Sequence, residues 1–181
     1  MVTVVVTNND VRRPEDQPCS QAETEIWSIL GDVLDPEVPA LSVVDLGLIR
    51  QVKVGDKGVV INVTPTYTGC PATDLIAEII KAAVTSCGYD NVTIKLVLSP
   101  AWTSDWISPT ARLKLKEYGI APPVGNAPTG RAALLGLSPI VACPRCDSTQ
   151  TERISEFGST ACKAMYRCTS CLEPFEYFKC I

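Results

Sequence analysis

Two C-x2-C pairs near the end of the chain restrict its fold more than any other feature of the sequence. They are Cys143 with Cys146 and Cys168 with Cys171, and residues 147 to 167 lie between the pairs. Each pair offers two thiolates from one tight turn, and two pairs complete the four-sulfur tetrahedron that zinc adopts in structural sites. The segment 140–181 is too short to build a good hydrophobic core without such a staple. The spacing therefore predicts a small β zinc-ribbon module over 140–181.

The predicted ribbon has three strands, over 149–154, 163–167 and 175–179. Cysteine fills all four metal positions, which leaves no vacancy for a substrate and indicates a structural site. A rubredoxin-like iron site uses the same four ligands, so the sequence does not separate zinc from iron. The segment 140–181 holds five Lys or Arg and five Asp or Glu, which gives no electrostatic argument for a nucleic-acid partner.

The chain contains no histidine among its 181 residues. This excludes a Ser-His-Asp triad, a Cys-His pair, an HExxH zinc site and a two-histidine, one-carboxylate iron site. A net charge of -4 also argues against a nucleic-acid-binding protein. No apolar run approaches the roughly 18 residues of a membrane helix, and Val2–Val6 lacks the features of a secretory signal. We therefore expect a cytoplasmic protein without a membrane anchor, in which paired cysteines indicate metal rather than disulfides.

Upstream of the ribbon, the sequence predicts an α+β domain over 20–120, preceded by a flexible arm (1–19) and followed by a Pro/Gly-rich linker (121–139). The order helix, strand, strand, helix, strand, helix describes a small mixed three-stranded sheet covered by helices. The supporting signals are a capping box at Ser20, a hairpin around Gly55–Gly58, a helix from Pro71 to Gly88, a strand over Val92–Leu98 and a helix from Pro109 to Gly119.

The loop from Thr64 to Pro71 carries a single cysteine. Cys70 is predicted to be the N-cap of the second helix, where unpaired N–H groups and the helix dipole would lower the pKa of its thiol. The neighbouring hydroxyl side chains include no general base, so metal or thiol chemistry fits this loop better than acyl transfer. The alternative is a buried, inert cysteine.

Two acidic residues, Asp35 and Glu37, follow the first helix in a proline-rich segment. Stiff prolines would present both carboxylates outward, as candidate partners of Cys70. The alternative is that Asp35 caps a turn while Glu37 is solvated. Four further cysteines have no assigned role; of these, two near the ribbon are either small buried side chains or a second thiol pair. The unassigned residues are Cys19, Cys87, Cys162 and Cys180.

Two segments of the first domain resemble a known family. DPEVPALSVVDLGLI (35–49) and TPTYTGCPATDLI (64–76) are similar to the domain-of-unknown-function-59 family, whose members are associated with iron–sulfur cluster assembly. The run FGSTACKAMYRCTSCLEPFEYFKCI (157–181), placed after that domain and a linker, resembles the D-subunit family of bacterial phenylacetyl-CoA epoxidase systems. The resemblance covers nearly everything beyond the N-terminal arm.

The resemblance implies an accessory maturation factor rather than a catalyst. Its partners would be the reductase subunit, which carries an iron–sulfur cluster, or the di-iron oxygenase subunit. Cys70 would be the functional thiol and would hold iron or a cluster transiently. Asp35 and Glu37 belong to the family's other motif and would be further site residues. A single thiolate binds iron weakly, so a homodimer or a partner would supply further ligands. The alternatives are a non-catalytic adaptor that bridges epoxidase subunits and a thiol-dependent transferase.

Overall fold

The structure is a computed structural model that describes residues 3–4, 20–125 and 139–180. Most of the predicted arm and linker, and Cys19, lie outside the described residues. The chain divides into two compact units, the first ending at Trp102 and the second beginning at Thr103.

The first unit is a four-stranded sheet with two helices. Its elements are β1 (Thr3–Val4), α1 (Gln21–Gly31), β2 (Ile49–Gly55), β3 (Gly58–Val63), α2 (Thr73–Ser86) and β4 (Val92–Leu96). The strand order is β1-β4-β3-β2, with β2 antiparallel to β3 and with β4 parallel to both β3 and β1. The three predicted strands are confirmed. The prediction missed β1, which lies inside the predicted arm and pairs with the edge of β4 that β3 leaves open.

Local signals explain the ends of these elements. Ser20 is the N-cap of α1, and its hydroxyl accepts a hydrogen bond from the Glu23 N–H at 3.2 Å. The hairpin between β2 and β3 closes with Gly55 opposite Gly58. Gly58 has a φ of +117°, and a Cβ there would lie 2.5 Å from the Asn91 carbonyl oxygen. Only glycine fits this position without displacing the backbone.

The core of the first unit lies between the helices and the sheet. α1 contacts α2 and β2, and α2 contacts β4. Alternate residues of β3 point into the core, as the period-two pattern predicts. The buried side chains include Ile26, Leu30, Ile61, Ile76, Ile80, Val84 and Ile94.

The second unit begins with a short 3-10 turn (Ser104–Trp106) and α3 (Pro109–Tyr118), followed by β5 (Ile120–Ala121), β6 (Thr151–Ser155), β7 (Lys163–Cys168) and β8 (Pro174–Phe178). The sheet order is β5-β8-β7-β6, and β6, β7 and β8 are the three predicted ribbon strands. α3 starts at Pro109 and terminates at its C-cap Gly119, as predicted; Ser108 is its N-cap, and Gly119 is in the left-handed region. However, α3 belongs to the second unit, because β5, which follows it, pairs with β8.

No helix in the described parts of the chain is long and apolar enough to cross a membrane.

Candidate functional site

The four ribbon cysteines converge on one point. The Sγ atoms of Cys143, Cys146, Cys168 and Cys171 all lie within 4.8 Å of one another. The Sγ–Sγ distance is 3.7 Å between Cys143 and Cys171 and 3.6 Å between Cys146 and Cys168. Four sulfurs at about 2.3 Å from a central zinc ion would be separated by about 3.8 Å. The geometry therefore matches a closed four-sulfur metal site.

Both cysteine pairs use the same backbone turn. The N–H of the first cysteine donates to a carbonyl five residues later, from Cys143 to Ser148 and from Cys168 to Glu173, each at 2.9 Å. The residue after the second cysteine is left-handed in each pair, with φ of 59° at Asp147 and 65° at Leu172. The first cysteine of each pair is buried and the second is exposed. The repeated turn explains why spacing alone predicts this site.

Hydrogen bonds within the cluster separate the ionisation of its thiols. The Cys171 N–H lies 3.4 Å from the Cys168 sulfur and, against the effect of burial, lowers the pKa of Cys168 to about 6. The Ser148 N–H acts to lower the pKa of Cys146, but hydrogen bonds with other thiols, first with Cys171, and burial outweigh it and raise that pKa to about 12. One thiol of the cluster therefore ionises readily, and its thiolate disfavours ionisation of the next thiol. A bound cation removes this opposition, so the donor set fits a thiophilic metal ion.

The predicted site around Cys70 lies at one edge of the sheet in the first unit. The carboxyl ends of β3 and β4 meet there, because Val63 is opposite Leu96 in a parallel pair. β2 starts at the same edge, because Ile49 is opposite Val63. The loop that carries Cys70 therefore leaves the sheet beside the segment that precedes β2. The buried Trp102 ring also bonds this segment, with its Nε1 2.9 Å from the Leu46 carbonyl.

Cys70 is half-buried and lies between two turns. Its N–H donates to the Tyr67 carbonyl at 3.2 Å, and its carbonyl accepts from the Thr73 N–H at 3.1 Å. α2 begins at Thr73 with Ala72 as its N-cap and without a side-chain cap. The prediction that Cys70 is the N-cap and Pro71 the first helical residue is therefore wrong, because these turns delay the helix. Cys70 instead lies two residues before the N-cap.

Asp35 points into the protein rather than outward. Its side chain is 6% exposed, and its Oδ1 accepts hydrogen bonds from the N–H groups of Glu37 and Val38, both at 2.8 Å. The expectation that both carboxylates face outward is wrong for Asp35, because its carboxylate caps the turn as the alternative predicted. Glu37 is half-buried. In the described parts of the chain, the four ribbon cysteines form the only group of three or more metal-binding side chains, so Cys70, Asp35 and Glu37 do not form one.

Arg50, which was not among the predicted site residues, has a fully buried side chain. Arg50 is the second residue of β2, at the register irregularity between Ile49 and Gln51. It therefore lies at the same sheet edge as the start of the Cys70 loop. A charge inside the protein is costly and is retained where neighbouring groups compensate it. The sequence signal that could have indicated the burial of Arg50 is its position directly after the apolar run Leu46–Ile49.

The remaining described cysteines do not join either site. Cys87 is exposed and follows α2 directly. Cys162 is buried, as one alternative predicted, and its sulfur lies 3.0 Å from the Thr160 hydroxyl. Cys180 is half-buried, and its thiol donates to the Gly125 carbonyl at 3.1 Å. None of the three belongs to a metal-binding group among the described residues.

Taken together, the fold and the cysteines define a two-part protein, in which a small α+β domain with a lone loop cysteine precedes a four-thiol β-ribbon. Two family models match these two parts in the same order. The model of an iron–sulfur cluster assembly protein matches residues 23–99, and the model of the PaaD zinc beta ribbon domain matches residues 127–179. The first match ends before α3, in agreement with the division at Trp102.

A relative with both parts is the Escherichia coli K12 protein named "Putative 1,2-phenylacetyl-CoA epoxidase" and designated the D subunit. It is 53% identical over 157 residues, which span 87% of this chain and 92% of the relative. The chain belongs to this family of epoxidase D subunits. An "Fe-S protein maturation auxiliary factor" of Porphyromonas gingivalis is 42% identical over 52% of this chain and 91% of its own length. The solved structure of a domain of unknown function 59 from Bacillus anthracis covers 52% of this chain, with 27% identity and a TM-score of 0.49.

Proposed function

We propose that this chain is an accessory maturation factor for the phenylacetyl-CoA epoxidase system. It assists the assembly of an iron–sulfur cluster or iron centre in a partner subunit, either the reductase or the di-iron oxygenase. The names of the relatives support both halves of this proposal. One is named as an epoxidase subunit, and three are named as Fe–S protein maturation auxiliary factors.

The observation that carries the proposal is the half-buried Cys70 on a loop at the sheet edge. Its thiol is the functional group that handles iron or a cluster. A single thiolate binds iron weakly, so the client protein, or Cys70 of a second copy, supplies the other ligands. Weak binding suits a factor that must release its cargo. Asp35 contributes by fixing the turn before Glu37 rather than by binding metal.

In this proposal the ribbon is a separate, structural zinc site. Cys143, Cys146, Cys168 and Cys171 would hold the ion, which supplies positive charge to the four thiolates and stabilises the fold of the second unit. The 3.6 and 3.7 Å sulfur separations support this assignment. The closed set of ligands distinguishes this site from the single thiol of Cys70.

The experiment that tests the proposal is replacement of Cys70 by serine in cells that carry only the variant. We expect normal protein levels, together with loss of cluster or iron loading in the client subunits and of epoxidase activity. Cys87→Ser is the matched control, because Cys87 is an exposed cysteine of the same unit, and it should retain full activity. Normal loading in the Cys70→Ser cells would refute the proposal.

A second candidate function, an adaptor that bridges epoxidase subunits, is favoured by Leu172. This side chain is 71% exposed although leucine is apolar, so it is available for contact with another protein. An adaptor requires complex formation that is indifferent to Cys70→Ser but lost in Leu172→Asp. A pull-down of the epoxidase subunits with both variants, together with an activity assay, separates the two functions.

A further inference from the structure

A buried threonine lies at the end of β3, where the Cys70 loop begins, and bonds both neighbouring segments of the sheet. Thr64 directly follows β3 and is 1% exposed. Its N–H donates to the Leu48 carbonyl at 2.8 Å, and its hydroxyl donates to the Val97 carbonyl, also at 2.8 Å. Thr64 thus joins the first residue of the loop to the segments before β2 and after β4.

The role of the hydroxyl follows from the next residue, Pro65. β3 and β4 are parallel, and the Val97 N–H donates to the Val63 carbonyl at 2.9 Å. In a regular parallel ladder, the Val97 carbonyl would then accept from the N–H of residue 65. Proline has no N–H, so the backbone ladder must end here. The Thr64 hydroxyl provides the donor that Pro65 lacks.

This bond fixes one side of the loop. On the other side, the turn from Cys70 to Thr73 leads directly into α2. Between these two points, the Cys70 N–H bonds the Tyr67 carbonyl, and Gly69 has a φ of +88° that favours glycine. The path of the short loop, and with it the exposure of the Cys70 sulfur, therefore depends on where its first residue is held.

We infer that Thr64 is a positioning residue for Cys70. Its hydroxyl replaces the missing ladder donor of Pro65, fixes the direction in which the loop leaves the sheet, and keeps the Cys70 thiol half-buried. The inference deepens the proposed function and rests on it, because it assigns the residue that sets the geometry of the proposed functional thiol.

The test is the rate at which iodoacetamide alkylates Cys70 in the full chain, followed by mass spectrometry of the Cys70 peptide. Thr64→Val keeps the branched shape but removes the hydroxyl. We expect it to fold and to expose the loop more often, so that alkylation accelerates by about threefold or more. Thr64→Ser keeps the hydroxyl, and its rate should stay within about twofold of the wild-type rate.

A double variant tests the mechanism directly. Thr64→Val with Pro65→Ala restores an N–H at position 65, which can bond the Val97 carbonyl. We expect this second change to slow alkylation again, relative to Thr64→Val alone. The matched control is Thr68→Val, which alters an exposed threonine of the same loop and should leave the rate unchanged.

Wild-type alkylation in Thr64→Val, or fast alkylation in Thr64→Ser, would overturn the inference. So would a double variant that reacts as fast as Thr64→Val. These outcomes are distinct from failure of the proposed function, which appears as normal client maturation in Cys70→Ser cells. The alkylation rates do not depend on what Cys70 binds.

Discussion

The two thiol sites of this chain are built in different ways. In the ribbon, each cysteine pair lies within one turn, and both turns repeat the same backbone hydrogen bond. In the first unit, the start of the Cys70 loop depends on a bond between Thr64 and Val97, which are 33 residues apart. Local spacing therefore specifies the ribbon, whereas contacts between distant segments specify the loop.

The two sites also differ in what their sulfur atoms do for the fold. The ribbon sulfurs lie together as a group of four and can stabilise the second unit through a metal ion. Cys70 lies in a loop whose anchors are backbone and hydroxyl groups. We therefore expect substitutions in the ribbon to affect folding, and substitution of Cys70 to affect function alone.

The largest expected effect is that of Cys143→Ser. Cys143 is fully buried within the cluster, and structural zinc contributes on the order of 10 kcal/mol to the folding of such small modules. We expect the variant to lose its bound zinc and the ordered structure of the second unit, while the first unit stays folded. Elemental analysis and limited proteolysis measure the two effects.

The matched control for this prediction is Cys180→Ser. Cys180 lies in the same unit and donates to the Gly125 carbonyl, a bond that a serine hydroxyl can also make. It should keep one zinc ion per chain. Retention of zinc and protease resistance in Cys143→Ser would show that the ribbon does not depend on its metal, which would remove the contrast with Cys70.

The second prediction concerns an ion pair that stabilises the ribbon sheet independently of the metal. Glu176 accepts from the Ser159 N–H at 2.6 Å and lies 2.9 Å from the Nζ of Lys163, a side chain that is 3% exposed. Replacing Glu176 by glutamine weakens a largely buried pair, and we expect it to destabilise the second unit by about 2 kcal/mol. Urea unfolding measures this loss. Glu152→Gln, which alters an exposed pair with Arg167, should cost less than about 0.5 kcal/mol.

The same pair predicts a pH dependence. Burial acts to raise the pKa of Glu176, but the Ser159 N–H and the Lys163 ammonium outweigh it and hold the pKa below its usual value of 4.5. A lowered folded-state pKa means that the stabilisation is complete above pH 4.5 and is lost as the pH falls through the lowered value. The stability difference between wild type and Glu176→Gln should therefore shrink in acid. A difference that stays constant down to about pH 3 would contradict this.

The contrast between the sites also explains what the sequence could reveal. The three ribbon strands, the group of four ribbon cysteines and the N-cap at Ser20 follow from short-range patterns, and all were predicted. β1 and the unit that contains α3 depend on pairing with distant strands, which periodicity does not encode. The burial of Arg50 also depends on packing at the sheet edge. The inward position of Asp35 and the delayed start of α2 have a different cause, since both follow from local turns: the turn that the Asp35 carboxylate caps and the turns on either side of Cys70.

The third prediction asks whether Asp35 acts through the turn or as a ligand. Asp35→Ala removes an oxygen that caps two N–H groups, and we expect a loss of about 1–2 kcal/mol from the first unit. Asp35→Asn keeps the acceptor oxygen but not the charge, and it should retain both stability and client maturation. Thermal unfolding and the maturation assay provide the two measurements. A folded Asp35→Asn protein that fails to mature its client would instead identify the carboxylate as a functional ligand.

The smallest expected change in stability is that of Cys70→Ser. Because Cys70 is half-buried and is held by hydrogen bonds of its backbone atoms, the free energy of unfolding should change by less than about 0.5 kcal/mol. The same variant should abolish client maturation if the thiol handles iron or a cluster. Urea unfolding of the zinc-loaded chain tests the first expectation. A loss of several kcal/mol would mean that Cys70, like the ribbon cysteines, stabilises the fold, and the two thiol sites would then differ in ligand number but not in role.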